Sequence, residues 1–254
     1  MQNRIVRLIA LLVFISGSAL AQRQLPPFKK ISHITSSDTL PYGLLEPIQI
    51  KAGEKYPLVI FLHGAGERGK DNESQLKHIQ ILYSYNVLDK YPSFVLAPQC
   101  PKQQTWSDLM HGKPFSTTPT KPMALFIEVL DKVMQEYPID PSRVYVTGVS
   151  MGGFGTWDLI TRFPDRFAAA VPICGGGDAH VVEKIKHIPV WVFHGAEDNV
   201  VPPGLSRKMV AALQSAGALP GYTEYPGVKH GSWLQAYKEP YLMPWLTKQK
   251  LATP

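Results

Sequence analysis

The chain has 254 residues, 44% of them apolar, and a formal net charge of +6, which predicts one sizeable core rather than several small ones or a disordered tract. Its basic residues are scattered and no basic run interleaves with aromatics, so nucleic-acid binding is excluded as a reading and the charge speaks of solubility. Two cysteines, Cys100 and Cys174, are too few for a disulfide framework; one bridge between them and two small buried thiols are both open.

The first 21 residues read as a leader rather than as fold. Arg4 and Arg7 give a basic start, residues 8–15 are almost wholly apolar, and Ala19-Leu20-Ala21 forms a small-x-small cleavage site ahead of Gln22. The apolar run is too short to span a bilayer, and a lipid anchor needs a cysteine just after the cut, whereas the first cysteine is Cys100. The expectation is a secreted or periplasmic protein with no stable membrane anchor, its catalytic domain running over 22–254.

In the segment 31–50, Pro41 and Pro47 interrupt the pattern and predict an antiparallel lead-in at a sheet edge. From Tyr56 onward, short runs rich in valine, isoleucine and phenylalanine predict strands over 57–62, 93–97, 143–147, 167–173, 189–193 and 221–225. Helical spacing of apolar residues fills the gaps at 123–136, 153–162 and 204–215, with a closing helical stretch over 236–250. This alternation predicts an α/β fold with a mostly parallel sheet and helices on both faces. Two segments break the alternation, 67–91 and 103–121. Long irregular stretches near strand ends are where lids and substrate walls are built, so both are candidates for that role.

Gly148-Val149-Ser150-Met151-Gly152 is a G-x-S-x-G pentapeptide that follows the strand 143–147 and precedes a helix. In that context the pattern is a nucleophile elbow, a sharp turn that lifts the serine hydroxyl above the sheet of an α/β-hydrolase. A serine hydroxyl is a weak nucleophile at neutral pH, so it requires a histidine to take its proton and an acid to orient the histidine. The elbow fold demands both downstream of the serine, acid first, in loops after strands. Of eight histidines, His230 alone lies beyond the last strand. Asp198, just past the strand 189–193, is the preferred acid, with Asp178 and then Glu197 behind it. His63 precedes the serine and is read as a brace for its loop.

Negative charge on the tetrahedral intermediate needs two waiting backbone N–H groups. Met151, next to the nucleophile, supplies one. His63-Gly64-Ala65-Gly66-Glu67-Arg68-Gly69 follows the first buried strand, and Ala65 is the choice for the second, with Gly64 next. Glu67 and Arg68 either pair with each other or shape the pocket. Trp106 and Trp233 are candidates to wall an acyl or aryl pocket; each has the alternative of packing under its own loop.

Taken with Ala97-Pro98-Gln99-Cys100-Pro101 and Pro172-Ile173-Cys174-Gly175-Gly176-Gly177, these motifs resemble the secreted carboxylesterase branch of the α/β-hydrolase superfamily. That branch holds relatives of feruloyl esterases, poly(3-hydroxybutyrate) depolymerases and predicted prolyl-oligopeptidase-like peptidases, and the resemblance covers roughly residues 40 to 250. It implies a Ser150-Asp198-His230 triad and hydrolysis through an acyl-enzyme, with no metal or organic cofactor. The implied partner is a small-molecule or polysaccharide-linked ester, feruloyl and acetyl esters included, and the oligomeric state is left open. A peptidase with the same machinery and a noncatalytic binding protein on a hydrolase scaffold are the competing readings.

Overall fold

A computed structural model describes residues 24–251; the leader read over 1–21 lies outside them. Its eight strands form one sheet in the order β1-β2-β4-β3-β5-β6-β7-β8. β1 (Lys29–Ile34) and β2 (Thr39–Leu45) are the antiparallel lead-in expected from the proline-interrupted segment, and β2 joins β4 (Phe94–Pro98) antiparallel. From there β3 (Tyr56–Leu62), β5 (Ile139–Val149), β6 (Ala169–Ile173), β7 (Trp191–Gly195) and β8 (Gly221–Tyr225) run parallel to β4 and to one another. All five therefore deliver their C-terminal loops to one rim, where open α/β sheets bind ligands.

The sheet is covered on both faces because its strands are apolar on both. Along β3, Leu58, Ile60 and Leu62 belong to one core and Val59 and Phe61 to the other, as the two-residue period of a strand requires. The first core packs under α3 (Lys121–Glu136), α4 (Met151–Arg162) and α5 (Gly204–Ser215). The second packs under α1 (Ile79–Leu82), α2 (Tyr85–Lys90), α6 (Trp233–Ala236) and α7 (Leu242–Lys248). Among the described residues no helix is long and apolar enough to cross a membrane.

Several boundaries differ from the sequence reading. The helix after the elbow begins at Met151, immediately behind the serine. At the seventh strand, Val190 makes only an isolated bridge to Ala170 and the regular strand starts at Trp191; Pro189, which has no N–H, cannot join a ladder as a donor. The closing helical stretch is two short helices, α6 and α7. The segment 67–91 is not a free-standing lid, since Leu76, Ile79, Leu82 and Leu88 are buried in the second core.

Cys100 and Cys174 are free and buried. Both follow strands, as the sequence indicated, but β4 and β6 are separated by β3 and β5 in the sheet. Three strand spacings amount to about 14 Å, twice the Cα separation a disulfide can span. Burial pushes both thiols up to about 12, so they remain protonated at neutral pH.

Candidate active site

Ser150 occupies the turn between β5 and α4 with φ 54° and ψ −117°. A non-glycine residue in this region stores strain of order ~1–3 kcal/mol, and such strain persists only where the surroundings enforce it. The surroundings here are close backbone crossings. A Cβ on Gly152 would lie 1.8 Å from the Leu62 carbonyl oxygen at the end of β3, so only glycine lets α4 start this near the neighbouring strand. The Ser150 N–H donates to the Ile173 carbonyl at 3.0 Å, which ties the turn to β6.

The hydroxyl of Ser150 lies 2.9 Å from His230 Nε2, and His230 Nδ1 lies 2.7 Å from Asp198 Oδ2. A carboxylate accepts only, so the ring proton belongs on Nδ1 and Nε2 is left to accept from the serine. Asp198 is held from the other side as well, its Oδ1 accepting the N–H groups of Val200 and Val201, each at 2.9 Å. Burial alone would raise the Asp198 pKa, but the His230 hydrogen bond and the two amides outweigh it and hold the carboxyl below its ordinary range. The loops carrying acid and base are pressed together at Gly195, where a Cβ would stand 2.3 Å from the carbonyl oxygens of both Val228 and Lys229. The Glu197 N–H donates to the Val228 carbonyl at 3.0 Å across the same junction.

A second histidine shares the acid. His194 is fully buried, with Nε2 2.9 Å from the Val201 carbonyl and 3.2 Å from Asp198 Oδ2. Both are acceptors, so Nε2 carries the proton, and Nδ1 faces the Ser206 hydroxyl at 2.7 Å. Burial pushes the His194 pKa down, offset only in part by Val201 and Asp198, which keeps the ring neutral. Sequence order discards His194 as a base because it precedes the acid; the signal for its actual position is its place four residues before Asp198, at the end of a buried strand.

The runner-up acids are engaged elsewhere. Asp178 accepts from the N–H groups of Phe115 and His180, both at 3.0 Å, and Glu197 is exposed. Cys174, Asp198 and His230 each place one potential ligand atom within 4.8 Å of the others. Asp198 and His230 are bonded to each other at 2.7 Å, with the buried Cys174 thiol beside them.

His63 braces its loop. Its Nδ1 is 2.6 Å from the Gly64 carbonyl and its Nε2 accepts from the Cys100 N–H at 2.9 Å, a pattern that requires a neutral ring. Desolvation lowers its pKa to about 4. The loop brings Gly64, Ala65 and Gly66 to the same cleft as Ser150, and among the described residues the Ala65 and Met151 amides donate to no backbone or side-chain acceptor. Glu67 and Arg68 do not pair with each other. Glu67 Oε1 accepts from His78 Nε2 at 3.1 Å, while Arg68 Nε turns to the Met151 sulfur at 3.2 Å.

The cleft over Ser150 has a volume of about 470 Å³, with Met110, Phe154, Val201 and Leu205 among its apolar lining. Trp233 lines it, with its ring 5.4 Å from that of His230 and 5.1 Å from that of His78. Trp106 does not. It is wholly buried in the first core and donates from Nε1 to the His63 carbonyl at 3.1 Å. The expectation that it walls the substrate pocket is corrected: an indole with its one donor satisfied and no exposed surface packs under the loop instead.

Residues 45–239 match the family model for phospholipases and carboxylesterases. Poly(3-hydroxyalkanoate) depolymerase C of Paucimonas lemoignei is 34% identical over 125 residues, 47% of this chain and 28% of that protein. A probable carboxylesterase of Arabidopsis thaliana is 25% identical over 212 residues, 76% of this chain and 78% of its own length. Among solved structures, a thermostable esterase superposes with a TM-score of 0.83 at 42% identity, covering 88% of this chain and 63% of that one. The chain thus spans only about a quarter of the depolymerase and less than two thirds of the esterase. The matched stretch runs unbroken from the end of β2 past the elbow and Asp198 to the loop of His230, and the chain belongs to the phospholipase/carboxylesterase family of α/β-hydrolases.

Proposed function

We propose that the protein is a serine carboxylesterase that cleaves esters through an acyl-enzyme on Ser150. His230 Nε2 takes the serine proton as Oγ attacks the ester carbonyl, and the imidazolium so formed is held by Asp198. The oxyanion is received by the N–H groups of Met151 and Ala65. Collapse expels the alcohol, which takes the proton back from His230; water, deprotonated by the same nitrogen, then attacks the acyl-serine and releases the acid. No step calls for a metal or organic cofactor. The substrates proposed are small-molecule or polysaccharide-linked esters, feruloyl and acetyl esters included. Export of the protein is supported by the leader pattern in the first 21 residues.

The observation that carries this reading is the relay of 2.9 and 2.7 Å from Ser150 through His230 to Asp198, set on an elbow with Ser150 at φ 54° and ψ −117°. The test is hydrolysis of a short p-nitrophenyl ester by the wild type and by Ser150→Ala. Loss of about 10⁴-fold or more in kcat, with loss of fluorophosphonate labelling, is expected. Undiminished hydrolysis by Ser150→Ala sinks the assignment.

A further inference from the structure

The cleft contains an ionisable pair that acyl transfer does not use. Glu67 and His78 both line it; their side chains are only 14% and 10% exposed, and they are joined at 3.1 Å. Burial would raise the Glu67 pKa, but the bond and charge of His78 outweigh it and hold the carboxyl ionised. Oε1 is taken by His78, and among the described residues no side chain donates to Oε2. That oxygen and the nucleophile flank the same glycine: a methyl group placed on Gly64 would lie 3.0 Å from Glu67 Oε2 and 3.7 Å from Ser150 Cβ. A carboxylate so near the point where an oxyanion develops opposes the reaction electrostatically, so its presence calls for a compensating role.

Chemistry decides which half of the ester it faces. The departing alcohol must recover its proton from His230 Nε2, so it leaves on the His230 side of the scissile bond. His230 abuts Trp233, Trp233 abuts His78, and His78 holds Glu67. The cleft also reaches Met110, Phe154 and Leu205, which it shares with a second cavity of about 480 Å³. That apolar extension suits the acyl group. We infer that Glu67, positioned by His78, is a recognition residue for the leaving alcohol and selects esters whose alcohol carries a second hydroxyl group, a diol, polyol or sugar. The inference rests on the esterase reading of Ser150.

A hydroxyl donor satisfies the free Oε2 and lessens its opposition to the oxyanion. A quaternary ammonium fits less well, because such cations are held by cages of several aromatic faces and among the described residues Trp233 is the one aromatic ring packed against the pair. An alkyl alcohol would leave the carboxylate desolvated and unmatched, and mismatches of this kind cost a site dearly.

Ethyl butyrate, glyceryl monobutyrate and butyrylcholine, compared by pH-stat titration, separate these cases. The wild type should favour the glyceryl ester over the ethyl ester by about 10-fold in kcat/KM, the size of one hydrogen bond to a charged group. That ratio should shrink in Glu67→Gln and approach one in Glu67→Ala. His78→Asn, which keeps the carboxylate but frees it, should lower the ratio through KM. Glycerol should inhibit wild-type hydrolysis of ethyl butyrate competitively and inhibit Glu67→Ala less. Equal rates on the ethyl and glyceryl esters, or a ratio that survives both Glu67 substitutions, overturn this inference alone; a preference for the choline ester overturns it in favour of a cation site. Failure to cleave any of the three, with no fluorophosphonate labelling, overturns the esterase reading and this inference with it.

Discussion

Two loops reach the site, each carrying a tryptophan that the sequence presents in the same way, and the fold uses them oppositely. Trp106, after β4, is sealed in the core, where its N–H holds the carbonyl of His63 and so supports the turn of Gly64 and Ala65 from below. Trp233, after β8, stands in the cleft between His230 and His78. On the proposed mechanism, one loop shapes the backbone that receives charge and the other supplies side chains to meet the substrate. Nearness to a motif in sequence therefore does not separate scaffold from site. Here the two rings differ in their polar edges: Trp106 Nε1 donates to His63, whereas Trp233 Nε1 has no partner among the described residues.

The division is broken or sharpened first by truncating both rings. Trp106→Ala should destabilise the fold by about 3–5 kcal/mol while leaving KM for a short ester unchanged in the folded fraction, as read by urea titration and steady-state kinetics. Trp233→Ala should cost about 1 kcal/mol of stability, the worth of its ring contacts, and should lower kcat/KM. Should Trp106→Ala, assayed where it is fully folded, lose as much kcat/KM as Trp233→Ala, the two loops are not distinct in role.

A smaller effect distinguishes the scaffold by pH. His63 has a folded pKa of about 4 against about 6.5 when unfolded. Between these values the unfolded chain binds a proton that the folded one does not, so stability falls as pH drops through the window and recovers as it rises. The full effect, below pH 4, is about 3 kcal/mol. Urea midpoints followed from pH 7 to 4 should show this slope in the wild type, and His63→Gln should flatten it. An identical slope in the variant assigns the window to other groups.

The smallest effect concerns the acid. His194→Asn removes the second imidazole N–H from Asp198, leaving the carboxylate held opposite His230 by the Val200 and Val201 amides alone. A loss of about 10-fold in kcat at neutral pH is expected, with KM unchanged. His194→Gln, whose amide can reach the Nε2 position, should recover most of it. Equal kcat profiles for the two variants, with only melting temperatures altered, would leave His194 a core residue and no more.

Much of the site was legible because the elbow fold converts position into role. Ser150 between a strand and a helix, Asp198 after the next-to-last strand and His230 after the last follow from order alone, and the geometry brings those three side chains together. The parallel sheet was legible for a related reason: strands buried on both faces leave apolar runs with helical patterns between them. What escaped depends on partners distant in sequence. Nothing near Glu67 announces His78, eleven residues on, as its partner rather than Arg68 beside it. The fates of Cys100 and Cys174 turn on strand order, which no local pattern encodes.

The junction at Gly195 also bears on when the machinery becomes operative during synthesis. His230 lies 32 residues beyond Asp198 and 80 beyond Ser150, and its loop seats only once β8 has paired with β7 and closed over that glycine. On the proposed mechanism, a nascent chain carries its nucleophile and acid well before its base, and the serine gains that base only when the last strand of the sheet is in place.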